Sequence, residues 1–87
     1  MTDRELFDLI NRIYRFDAQP SEREIKSVAQ ALTCRYNQSN YITQKDLDEV
    51  VDRNLSNKTR PVCYCIDMTN TINILEKIME EMRKRTR

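Results

Sequence analysis

Hydrophobic positions recur at helical spacing in four stretches of the chain. Leu6, Phe7, Leu9, Ile10, Ile13, Tyr14 and Phe16 fall on one half of a helical wheel, and Arg4, Asp8, Asn11 and Arg15 fall on the other. At about 100° per residue this is a single apolar face, and it predicts a helix over about 3–16. Thr2-Asp3-Arg4-Glu5 supplies its start, because a Thr hydroxyl accepts an early backbone N–H while Glu three residues on reaches back. Ser21-Glu22-Arg23-Glu24 repeats that arrangement just after Pro20. Ile25, Val28, Ala29, Leu32 and Tyr36 then make one stripe, which predicts a second helix from 21 to about 35.

The polar run Asn37-Gln38-Ser39-Asn40 reads as a turn. Thr43 is placed to cap a third helix, with Asp46 near the positive end of its dipole and Leu47, Val50 and Val51 on its buried face. That helix fades at Asn54, and Leu55 to Pro61 reads as a polar loop. Val62-Cys63-Tyr64-Cys65-Ile66 is β-branched and aromatic and predicts a short strand. A lone strand leaves its backbone groups unpaired, and Tyr41-Ile42 is the available partner. Asp67, Thr69 or Asn70 can cap a last helix, whose apolar face is Ile72, Ile74, Leu75, Ile78, Met79 and Met82. The fold expected is mainly α: a compact four-helix domain with a short two-stranded β element formed by Tyr41-Ile42 and Val62-Ile66.

Length and composition narrow what such a domain does. The 87 residues, 10.5 kDa, make one small domain. Gly is absent where average usage of about 7% would give about six, and His is absent too. Without Gly there is no phosphate-cradling loop of the Walker or dinucleotide-binding kind. Without His there is no Ser-His or Cys-His catalytic pair within the chain, and the commonest metal ligand is missing. No enzyme, cofactor or metal is expected. Helix ends must use another residue for left-handed positions, and Asn37, Asn54 and Asn57 are the substitutes.

No apolar stretch follows the charged Met1-Thr2-Asp3-Arg4-Glu5, and the longest apolar run is Val62 to Ile66, far below the roughly 20 residues that span a membrane. The expectation is a soluble, cytoplasmic protein. Three cysteines, Cys34, Cys63 and Cys65, agree with a reducing compartment, since an odd number is a poor disulfide framework.

Four constellations have a chemical reading and a plainer one. Cys63, Cys65 and Asp67 share one side of the predicted strand, and Cys34 would complete a tetrahedral donor set. The spacing is not that of structural zinc sites, and buried thiols are the plainer reading. Asn37 to Asp46 has the layout of a worn calcium loop, but Arg35 stands at its first position and Asp46 at its twelfth. One carboxylate does not hold Ca²⁺, so this is a polar turn before a Thr cap. Ile72, Leu75, Met79 and Met82 have 3-4-3 spacing, too short to assert a coiled-coil seam, and packing within the domain accounts for them. The second and third helices form a helix-turn-helix candidate, but their connection spans about seven residues where three or four are usual.

Lys+Arg is 15 and Asp+Glu is 14, a net charge of +1 that hides an uneven distribution. Asp46, Asp48, Glu49 and Asp52 make the third helix acidic. Lys58, Arg60, Arg83, Lys84, Arg85 and Arg87 make the last third basic. The leading expectation is a non-catalytic regulatory module that binds a protein partner through the acidic face. A phage or mobile-element accessory protein, or an inhibitor docked on a host protein, suits this size and composition. The alternative is a DNA- or RNA-binding transcriptional regulator, winged-helix or helix-turn-helix-like, that uses the six basic residues on phosphate. A homodimer fits either reading.

Overall fold

The structure, a computed structural model, describes residues 1–14, 16, 19–55 and 68–85. Four helices account for nearly all of these: α1 (Asp3–Tyr14), α2 (Glu22–Ser39), α3 (Gln44–Asn54) and α4 (Met68–Arg85). The mainly-α, four-helix expectation holds. The N-termini form as their sequences dictate. Thr2 Oγ1 accepts from the Glu5 N–H at 3.2 Å, and the Thr2 N–H donates back to Glu5 Oε1 at 3.2 Å. The same reciprocal box forms at Ser21 and Glu24. It forms again at Thr43 and Asp46.

α1 ends two residues before the predicted boundary. The Phe16 N–H donates to the Asn11 side chain at 2.9 Å, and the Phe16 ring folds back to stack on Phe7, with centroids 5.2 Å apart. This side-chain acceptor and the ring contact replace a further helical turn.

α2 runs four residues beyond its predicted end. Asn37, Gln38 and Ser39 stay helical, and the turn comes at Asn40, the one residue with positive φ (57°) among those described. The Asn40 N–H donates to the Tyr36 carbonyl at 2.7 Å and closes the helix. Asn takes this left-handed position because its short polar side chain tolerates it. The named substitutes Asn37 and Asn54 are helical instead, and Asn57 lies outside the described residues. The connection to α3 is therefore only residues 40–43.

That connection corrects the β expectation at Tyr41-Ile42. No strand occurs among the described residues, and Val62–Ile66 lies outside them. Ile42 is instead a plug with 0% exposure, its N–H directed at Met79 Sδ, 3.4 Å away. The Ser39 hydroxyl donates to the Tyr41 carbonyl at 2.8 Å, so the turn's polar groups are satisfied locally.

One core joins all four helices. α2 is its hub, packing on α1, α3 and α4, while α1 also packs on α4. Ile10, Leu32, Ile42, Leu47, Ile78 and Met82 have no exposed surface at all. Each such side chain contributes about 1.5–3 kcal/mol by leaving water. α4 is rotated relative to its apolar reading. It buries Thr71, Ile74, Leu75, Ile78, Glu81 and Met82, and leaves Ile72 half exposed at 51%. Leu75 and Met82 face the core of their own chain. Packing within the domain, not a dimer seam, accounts for the 3-4-3 spacing. No helix among the described residues is long and apolar enough to cross a membrane.

Candidate functional site

α3 is short, and its surface divides cleanly. Leu47, Val50 and Val51 are buried, and Lys45, Asp48, Glu49 and Asp52 follow i, i+3, i+4 and i+7 spacing on the opposite side. The helix is held in place by its cap and by one arginine. Arg35 reaches across from α2 and donates from Nη1 to Asp46 Oδ1 at 3.0 Å and from Nη2 to Glu49 Oε2 at 2.8 Å. The Glu49 hydrogen bond, ahead of that from Asp46, raises the Arg35 guanidinium above its already high ordinary value. The Asp46 carboxyl is held below its usual range, first by the Thr43 backbone N–H and then by the Thr43 hydroxyl and Arg35.

The four acidic residues therefore have different jobs. Asp46 serves the helix start and Arg35. Glu49 serves Arg35 and keeps part of its side chain in solvent. Asp48 is exposed but accepts a hydrogen bond from the hydroxyl of buried Tyr14 on α1. Asp52 is exposed and pairs with no cation among the described residues. The outward charge of the face is carried by Asp48 and Asp52, one turn apart.

The six basic residues are not gathered into one patch among the described residues. Lys58, Arg60 and Arg87 lie outside them. Lys84 is exposed on the last turn of α4. Arg83 Nε lies 3.5 Å from the Tyr36 hydroxyl, which raises the pKa of its guanidinium. Arg85 turns inward. It donates from Nε to Glu81 Oε2 at 2.8 Å, from Nη1 to Asp3 Oδ1 at 2.7 Å and from Nη2 to the Met1 carbonyl at 3.0 Å. Partial burial opposes its charge, and the bonds to Glu81 and Asp3 outweigh that, so its pKa is raised.

Two of the shallow concavities along α2 meet at Cys34. One, about 430 Å³, lies between α2 and α3, with Arg35, Gln38, Arg53 and Asn54 around an apolar floor of Ala31 and Val50. The other, about 360 Å³, runs along the opposite flank, with Lys26, Gln30, Thr33 and Arg85 on its walls. Cys34 borders both and is exposed, which corrects the buried-thiol expectation at this position. Cys63, Cys65 and Asp67 lie outside the described residues, and no group of three metal-ligating side chains occurs among those described. The calcium-loop layout resolves into helix and ion pair. Its first and twelfth positions, Arg35 and Asp46, are bonded to each other.

Arg35 is the residue that reading the chain missed. An arginine on a helix flank carries no local mark of its partner, and only the short turn at 40–43 brings it to α3. No family model, no curated protein and no solved structure matches the chain.

Proposed function

We propose that the chain is a non-catalytic interaction module that docks on a protein partner through the outer face of α3. The observation that carries this reading is the presentation of Asp48 and Asp52 on a helix fixed from three sides. The Thr43 box fixes its start, Arg35 fixes its flank and Leu47 fixes its underside. A rigid face loses little freedom on binding, and its two outward carboxylates suit a basic groove. A small inhibitor or regulatory protein of a phage or mobile element, working in the cytoplasm on a host protein, is the setting proposed.

A photo-crosslinking residue at position 45, on the same face, tests this in the producing cell. A discrete crosslinked product is expected, and Asp48→Asn with Asp52→Lys should abolish it. Glu76→Lys with Glu80→Lys, on the exposed side of α4, should leave it intact. A product indifferent to both pairs of changes would remove this face from consideration.

One observation favours the second reading, a DNA- or RNA-binding regulator. The four-residue connection at 40–43 is of helix-turn-helix length, shorter than the sequence suggested. The helix that would enter the groove is still the acidic α3, and Arg85 is held by Asp3 and Glu81. Fluorescence anisotropy with a labelled mixed-sequence duplex separates the readings. Binding that falls steeply with salt and weakens in Arg83→Gln/Lys84→Gln supports it. No binding at low salt eliminates it.

A further inference from the structure

We propose that the outer ridge of α2 is the docking surface for α3 of a second copy of this chain. Arg23, Lys26, Gln30, Cys34 and Asn37 are all exposed and follow helical spacing along one side of α2, opposite the buried Val28, Leu32 and Tyr36. From Ile25 to Asn40 the chain contains no carboxylate. The ridge thus presents two cations and then uncharged side chains; Glu22, also exposed, lies one turn before Lys26, but neither cation forms an ion pair with a carboxylate among the described residues. Arg23 and Lys26 are separated by about 4.5 Å along the helix axis, and Asp48 and Asp52 by about 6 Å. Two cations on one turn therefore face two carboxylates on one turn, each pair on a capped helix.

The whole-chain charge points to the same occupant. At +1, two copies have almost no net repulsion to overcome, and a polyanion feels almost no long-range pull. The attraction is local and between unlike faces, so the contact is ridge to face. Small and uncharged side chains beyond the cations, Cys34 and Asn37 among them, let the second helix approach closely. Because exposed charges carry the contact, the association is weak and salt-sensitive. It also covers Asp48 and Asp52, so a copy bound this way is withdrawn from any other partner of α3.

Sedimentation of the full chain reads this directly. The weight-average mass should rise above 10.5 kDa with concentration at low salt and return to that value at about 0.5 M salt. Arg23→Glu/Lys26→Glu and, separately, Asp48→Asn/Asp52→Lys should each weaken association at least tenfold, with circular dichroism confirming that both fold. An equimolar mixture of the two variants should associate again, because the ridge variant keeps its α3 face and the face variant keeps its ridge. A mixture of the ridge variant with Arg23→Gln/Lys26→Gln/Glu76→Lys/Glu80→Lys, in which both copies lack the basic ridge, controls for bulk attraction and should stay monomeric. A mass of 10.5 kDa at every concentration, or equal association in the control mixture, overturns the proposal. Docking to a different protein is read by the crosslink at position 45, which the ridge variant leaves intact, so the two ideas fail separately.

Discussion

Arg35 and Arg85 make the same chemical arrangement in two different places. Each guanidinium holds two carboxylates, Asp46 and Glu49 in one case and Asp3 and Glu81 in the other. Arg35 joins helices that are neighbours in sequence, and its carboxylates are 28% and 39% exposed. Arg85 joins the start of α1 to the end of α4, and while Asp3 is 40% exposed, Glu81 is only 9% exposed. Solvent replaces the Arg35 bonds readily and has little access to Glu81. The same ion pair is therefore a trim on a joint already made in one region, and a required neutralisation in the other.

The joint at α2 and α3 is made by burial, and the sharpest way to show it is to cut Ile42. Ile42→Ala removes a side chain with no exposed surface and should cost about 3 kcal/mol, read as a lower urea midpoint. A loss smaller than that of Arg35→Ala would reverse the comparison. Arg85→Ala leaves the nearly buried Glu81 with only the Met1 ammonium, 4.0 Å away, and should cost about 2 kcal/mol. Arg85→Met combined with Glu81→Leu should cost less than Arg85→Ala alone, because no charge is then stranded. Arg35→Ala should lower the urea midpoint less than either Ile42→Ala or Arg85→Ala, and that loss should shrink further in high salt.

The smallest effect expected is a pH effect. The folded state holds the Asp46 pKa below its ordinary value of 3.8. Its stabilising contribution is complete above that value and is lost as pH falls through the lowered folded-state pKa. Urea midpoints at pH 6, 4 and 3 should decline for the native chain, and less for Asp46→Asn. Equal declines in the two would show that the Thr43 box carries no pH dependence.

The parts of the fold that were legible in the chain are those decided within one helical turn. Ser21 with Glu24 and Thr43 with Asp46 fix two helix starts, and the stripe Ile25, Val28, Ala29, Leu32 buries where its spacing says. What was not legible depends on distant groups. Asn37 and Asn40 are the same residue type in the same polar run, and only the seating of Ile42 in the core decides which of them turns left-handed. Thr71 and Ile72 are adjacent, and hydropathy favours burying Ile72. Burial of Thr71 and Glu81 instead follows from the rotation of α4 that turns Glu81 and Arg85 together toward the start of α1, where the Met1 ammonium and Asp3 meet them. The acidic face of α3 was legible as a charge run. That Asp46 and Glu49 are taken up by the fold while Asp48 and Asp52 stay exposed was not, because Arg35 comes from another helix.

The contact of Arg85 with Asp3 and the Met1 carbonyl sets the first turn of α1 beside the last turn of α4. A unit whose entry and exit stand side by side can be spliced into a surface loop of a host protein without prying that loop apart. It can equally be closed into a ring by a short linker and reopened elsewhere. The bend at residues 40–43 would be the wrong place to reopen it, since Ile42 would lose its tether on one side.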